Sequence, residues 1–256
     1  MNAAFRQGPE EISSPQNPKF KCWLSLLEAK GIKKEKLALV SGTKIVDELL
    51  RHSPDGVRAL LLPPKADPPP AIHGKIYRLS APLFRDLDVM GTKATLAVID
   101  RPEIEEWRHE APSGLELIVA LSDPGNLGAL LRSAEAFGVR RVILTAECSS
   151  PFLPRAIRAS SGSVFRMRMA QTGALQSIKP TQAFSLDMDG EDISRMAWPK
   201  DLYLVLGEEG RGVPAELKTR RLRIPMEPMI ESLNATVAAS IALFSYRNTI
   251  KAGTPR

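Results

Sequence analysis

The sequence predicts an α/β protein in two parts: a small N-terminal α/β/α domain, and a C-terminal domain on a mostly parallel sheet with helices on both faces. Three observations carry this. Apolar strand-like runs alternate with helical patterns along most of the chain, as crossover-connected parallel strands require. A polar stretch at residues 101–114, with Pro102 and Pro112, interrupts the alternation and marks a boundary. The 256 residues suffice for one large domain or two ordinary ones.

Residues 1–18 carry Gly8, Pro9, Ser13, Ser14, Pro15 and Pro18 with little apolar pattern, and read as a loose arm. Residues 20–29 read as a helix ended by Gly31, 37–40 as a strand, and 43–51 as a helix capped by Thr43. Strands follow at 57–62 and 95–99, with Pro63, Pro64, Pro68, Pro69 and Pro70 marking a stiff loop between them. Beyond the boundary come a strand at 115–121, a helix at 127–137 closed by Gly138, and a strand at 142–145. A helix at 154–160 precedes strands at 164–169, 183–187, 202–206 and 222–225. A long helix at 233–247 ends the pattern.

Bulk properties exclude several classes. Hydrophobic residues make up 43% and charged residues 25%, a globular balance. No apolar run approaches a membrane span and the N-terminus lacks a signal-peptide core. Cys22 and Cys148 are too few for a disulfide framework, so a reducing cytoplasm is expected. His52, His73 and His109 lack metal-ligand spacing, so no metal site is expected. The net charge of +6 favours an anionic partner modestly. One basic run holds Lys19, Lys21, Lys30, Lys33, Lys34, Lys36 and Lys44; another holds Arg140, Arg141, Arg155, Arg158, Arg166 and Arg168. The lysine run reads equally well as a solvated face; the arginine run is less easily dismissed, because planar guanidinium groups favour phosphate.

Three constellations could carry chemistry. Ser122-Asp-Pro-Gly-Asn126-Leu-Gly-Ala-Leu-Leu-Arg132 reads as a turn and a helix start with Asn126 as cap. That reading leaves Arg132 unexplained, because an arginine early in a helix opposes the dipole. Gly207-Glu-Glu-Gly-Arg-Gly212 is neither a dinucleotide fingerprint nor a P-loop. Its adjacent acids point apart, which disfavours a glycosidase pair. Ile224-Pro-Met through Ser232-Leu-Asn234, followed by an alanine-rich run, reads as Ser232 capping a closely packed helix. Without a nucleophile elbow or histidine partner, a serine hydrolase is disfavoured.

In this order the three motifs resemble those of the TrmH/SpoU family of RNA ribose 2′-O-methyltransferases, within the SPOUT superfamily, over residues 115–247. Residues 40–50 and 91–98 are similar to the family's ribosomal-protein-like substrate-binding domain. With the arm at 1–18 and a linker at 106–114 read from composition, the resemblance implies an RNA-binding domain at 19–105 and a methyltransferase domain at 115–256. It implies S-adenosylmethionine held around Gly207, Ile224, Met226 and Leu233, a C-terminal trefoil knot, and a homodimer with active sites across the subunit interface. The catalytic arginine falls on Arg132, and its polar companions on Asn126, Glu209, Ser232 and Asn234. The expected substrate is RNA, ribosomal RNA of the large subunit ahead of tRNA. Two departures stand out: Pro228 replaces a common glycine, and Ala235-Thr236 replaces the frequent Val-Ser. A competing class is a non-catalytic RNA-binding or ribosome-assembly protein with a degenerate pocket.

Overall fold

The computed structural model describes residues 8–68, 74–208, 210–227, 229–230 and 232–252. They fall into two compact units, one reaching Pro102 and including Phe152–Arg158, the other comprising Glu103–Pro151 and the chain from Ala159 onward.

The first unit runs β1 (Glu10–Ile12), α1 (Pro18–Ser25), α2 (Ala29–Glu35), β2 (Leu37–Val40), α3 (Thr43–His52), β3 (Val57–Leu62), β4 (Lys75–Leu79), α4 (Ala81–Leu87) and β5 (Leu96–Asp100). Its sheet is ordered β1-β4-β3-β5-β2. Strands β1, β4 and β3 are parallel, and β5 runs antiparallel to both β3 and β2. Leu60, Leu61 and Leu62 of β3 are wholly buried, as expected of an interior strand covered on both faces.

Four expectations need correction here. The segment expected to be a loose arm contains β1, which extends the sheet in register with Tyr77 to Leu79. The single helix expected over 20–29 is two helices, and Gly31 sits inside the second. A Cβ at Gly31 would lie 1.9 Å from the Ser25 carbonyl oxygen, so glycine permits this close approach rather than ending a helix. Gly42, at φ 101°, occupies the N-cap position of α3, and Thr43 is already helical. Strand β4 and helix α4, after the proline-rich loop, are additions to the sequence reading, although Ile76, Tyr77, Leu79, Leu83, Phe84 and Leu87 give them apolar residues. Residues 69–73 of that region, including Pro69 and Pro70, lie outside the described residues.

The second unit runs β6 (Glu105–Glu106), β7 (Leu115–Val119), α5 (Pro124–Phe137), β8 (Arg141–Leu144), α6 (Pro154–Ser160), β9 (Met169–Gln171), β10 (Ala183–Asp192), β11 (Leu202–Leu206), β12 (Arg220–Arg223) and α7 (Ala235–Ala252), with the start of α6 counted in the first unit. Its seven strands are ordered β12-β10-β11-β7-β8-β9-β6, and every pairing is parallel. Every residue of the central β7 and β11 is buried, which accounts for their apolar sequences; the one charge, Glu116 of β7, is paired with Arg141.

Residues 106–114, expected to be a linker, belong to this unit. Strand β6 pairs with β9, and Trp107 is buried edge-on against Tyr203 at 5.5 Å between ring centroids. The Tyr203 hydroxyl donates to the Glu110 carbonyl at 2.6 Å. Residues 164–169 are not one strand: a short 3-10 turn at Ser163–Phe165 precedes β9. Strand β10 outruns its expected end because residues 187–190 bulge out, with both Leu186 and Glu191 facing Leu222.

Candidate active site

Because every strand of the second unit points the same way, the loops after β7, β11 and β12 emerge together at the sheet's carboxyl end. In open α/β sheets, that end is where ligands bind. These loops carry the three sequence motifs, and local chemistry explains how each is held.

The loop after β7 enters α5 through Asp123, whose Oδ1 accepts from the Asn126 amide at 2.8 Å. Asp123 is therefore the cap, with Pro124 at the first helical position, and Asn126 sits within the first turn rather than capping it. Gly138, at φ 77°, closes the helix as expected. The loop after β11 turns back on itself. The Gly212 amide donates to the Glu208 carbonyl at 2.9 Å, and a Cβ on Gly207 would lie 1.9 Å from the Gly212 carbonyl oxygen. Only glycine tolerates that approach. Glu209 lies outside the described residues, as does Pro228.

After β12 the chain leads into α7, whose cap is Asn234 and not Ser232. Asn234 Oδ1 accepts from the amides of Thr236 at 2.9 Å and Val237 at 3.3 Å. Its Nδ2 donates to Asn126 Oδ1 at 3.1 Å, joining two residues 108 apart in sequence. Two further bonds fasten α7 to α5: Thr236 Oγ1 donates to the Asn126 carbonyl at 2.9 Å, and Ser240 Oγ donates to Ser133 Oγ at 2.8 Å.

Ile224, Met226, Ser232 and Leu233 line one cleft, together with Leu186, Asp187, Met188, Leu222 and Ala238. Three of the four residues expected to hold cofactor therefore share a wall with Ser232; Gly207 is not among the lining residues. The cleft is mostly aliphatic, with the Asp187 carboxylate and the Ser232 hydroxyl as polar side chains. That composition suits a ligand with an apolar face and a few polar edges.

Arg132 is exposed on α5, and its side chain makes no hydrogen bond or ion pair with a described residue. It is not among the residues lining the cleft. Sequence reasoning missed Asp123, Thr236 and the β10 bulge. An Asp-Pro pair opening a helix signals a cap and could have revealed Asp123. Nothing local marks residues 186–188 as a wall.

On α7, Val237, Ile241 and Phe244 are 48%, 37% and 55% exposed, spaced so as to share one helix face. Phe244 also meets Phe137 edge-on at 6.2 Å between centroids. Among the described residues no group of three or more His, Cys, Asp or Glu could hold a metal ion, and no helix is long and apolar enough to cross a membrane.

Residues 116–244, half of the chain, match the family model described as the SpoU rRNA Methylase family. The chain is 39% identical over 250 residues to Ribosomal RNA small subunit methyltransferase G 2 of Syntrophobacter fumaroxidans, covering 95% of this chain but 50% of that protein. It thus spans only half the length of that relative. It is 27% identical over 249 residues to the 23S rRNA (guanosine(2553)-2′-O)-methyltransferase RlmP of Bacillus subtilis, covering 93% and 99% of the two chains. Among solved structures, the AdoMet-bound rRNA methyltransferase from Sinorhizobium meliloti superposes with a TM-score of 0.77 at 23% identity, over 93% of this chain and 97% of that one. That last likeness is one of fold.

Proposed function

The chain belongs to the SpoU rRNA methylase family, and on that premise we propose that it transfers a methyl group from S-adenosylmethionine to a ribose 2′-hydroxyl of RNA. The observation that carries this is the junction of first and third motifs at Asn126–Asn234, beside the cleft formed by Ile224, Met226, Ser232 and Leu233. Large-subunit ribosomal RNA is the preferred substrate ahead of tRNA. The 2′-O specificity and large-subunit target of the Bacillus relative support this.

In this reading the cleft holds S-adenosylmethionine, whose sulfonium supplies an electrophilic methyl. The aliphatic walls suit its purine, the main chain around Gly207 and Leu233 its polar edges, and the bound cofactor of the Sinorhizobium structure agrees. A ribose hydroxyl is a weak nucleophile near neutral pH, so its proton must leave as it attacks. Arg132 grips the phosphate beside the target ribose, aligning the hydroxyl and letting a phosphate oxygen take that proton. Asn126, Ser232 and Asn234 position the ribose, and Glu209 orients it through hydrogen bonds.

Arg132 lies outside the cleft lining of its own chain, which supports a homodimer whose partner completes each site. The exposed Val237, Ile241 and Phe244 face supplies an apolar surface for that interface. The N-terminal unit serves as RNA-binding domain, the C-terminal segment threads as a trefoil knot, and the enzyme works in the cytoplasm.

The test is methyl transfer from labelled S-adenosylmethionine to unmodified ribosomal RNA and tRNA, with the alkali-resistant nucleotide mapped. Ribosomal RNA should acquire a 2′-O-methyl group. Arg132→Ala should lose on the order of a hundredfold or more in rate while binding cofactor normally. Methyl groups found only on bases, or an Arg132→Ala variant of full activity, would overturn the assignment.

A further inference from the structure

The arginine run of residues 140–168 is sorted by the structure into engaged and unengaged members. Arg141 is 15% exposed and grips two carboxylates, donating to Glu116 from Nε at 3.0 Å and Nη2 at 2.9 Å, and to Glu110 from Nη1 at 3.1 Å. Arg166 donates to Glu135 from Nε at 2.6 Å and Nη2 at 2.8 Å. Arg155 and Arg158 belong to the first unit. Arg140 and Arg168 remain: both are exposed, and neither side chain makes an ion pair or hydrogen bond with a described residue.

These two arginines line one recess of about 270 Å3, together with Glu110, Ser113, Glu116 and Arg141. Their positions follow from the sheet. Arg140 and Arg168 immediately precede the paired strands β8 and β9, and the Val142 amide donates to the Arg168 carbonyl at 3.0 Å. Gly114, at φ 73°, leaves room for the Arg140 stem, since a Cβ there would lie 3.0 Å from Arg140 Cγ. The recess thus presents three guanidinium groups to two carboxylates, both already engaged by Arg141. Bringing unpaired like charges together costs energy that an anion would recover. The planar guanidinium fork fits phosphate oxygens in particular.

We propose that Arg140 and Arg168 form a second RNA-backbone contact, a phosphate clamp at the amino ends of the strands. Because the sheet is parallel, this lies at the opposite end from the cleft, roughly 17 Å away along a five-residue strand. It rests on the RNA reading above. The clamp grips a segment remote from the reacting ribose, and so favours a folded RNA over a short oligonucleotide.

The test reads binding without turnover: fluorescence titration of large-subunit ribosomal RNA, transcribed in vitro, across a salt series. Relative to wild type, the Arg140→Gln/Arg168→Gln variant should bind about tenfold or more weakly near 0.1 M salt. Its plot of log affinity against log salt should be shallower by about 1.5, reflecting two lost phosphate contacts. Each single variant should show about half that change, and the double lysine variant should keep the wild-type slope. Folding is checked by thermal melting. A correctly melting double variant with wild-type affinity and slope overturns the clamp, as does a wild-type protein whose RNA binding ignores salt. If the double variant shows the predicted slope change yet wild type transfers no methyl group to the transcript, the clamp stands and the catalytic reading fails.

Discussion

Asn234 does two things with two atoms, and they can be separated. Its Oδ1 caps α7 through the amides of Thr236 and Val237, while its Nδ2 reaches Asn126. Serine is as good a cap as asparagine but is too short and lacks the amide donor. Asn234→Ser should therefore melt close to wild type and still lose methyl transfer by roughly tenfold, the scale of one well-placed hydrogen bond. Asn234→Ala should lose the activity and also about 0.5–2 kcal/mol of stability, because the cap goes too. Paired thermal melts and initial rates make the comparison. A fully active Asn234→Ser would mean that the bond to Asn126 has no part in the site. Of these two roles only the cap is local, and sequence reasoning gave it to Ser232. The partnership with Asn126 depends on two strand ends meeting in space, so no window of sequence contains it; the family resemblance implied only that both residues accompany Arg132.

At the scale of elements, legibility followed burial. Strands at Leu37–Val40, Val57–Leu62 and Leu202–Leu206 were read to the residue, because they are mostly buried apolar runs, with the exposed Arg58 as the one charged residue among them. The strands missed were short or peripheral: β1 with three residues, β6 with two, and the partly exposed β4; helix α4, with Leu83, Phe84 and Leu87 buried, was missed despite its burial. Such strands are held by register with a neighbour and not by their own pattern. The α7 stripe is the converse, an apolar pattern left partly exposed, with Phe137 meeting Phe244 at one end. Burying Val237, Ile241 and Phe244 against a second copy would remove three exposed apolar side chains from water, each worth about 1–2 kcal/mol when fully covered. A double substitution, Ile241→Glu with Phe244→Glu, would place desolvated charges in that contact. If the proposed homodimer uses this face, sedimentation velocity should report a dimer for wild type and a monomer for the double variant, with far-ultraviolet circular dichroism unchanged and methyl transfer largely lost. A double variant that remains dimeric would place the interface elsewhere.

The whole chain contains two sheets and two cores. Leu60, Leu61, Leu79 and Leu96 lie in the first unit, while Ile118, Ile143, Tyr203 and Val205 belong to one cluster in the second. Proteins with separate cores commonly depart from two-state unfolding. The residues of the cleft, from Leu186 to Ala238, all belong to the second unit. A ligand that binds only the folded cleft stabilises by mass action, about 2.7 kcal/mol at a concentration one hundred times its dissociation constant. For a unit of about 150 residues, each kcal/mol moves the midpoint by roughly 2–4 °C, so a shift of about 5–11 °C is expected. Calorimetry with and without S-adenosylmethionine should show two transitions, of which only the one belonging to the second unit moves. The two can be assigned by the Leu61→Ala variant, which should lower the other midpoint, since a buried leucine-to-alanine change costs about 2–5 kcal/mol. Equal displacement of both transitions by cofactor would mean that the units melt as one cooperative body. Absence of any shift at saturating cofactor would remove S-adenosylmethionine from the cleft altogether.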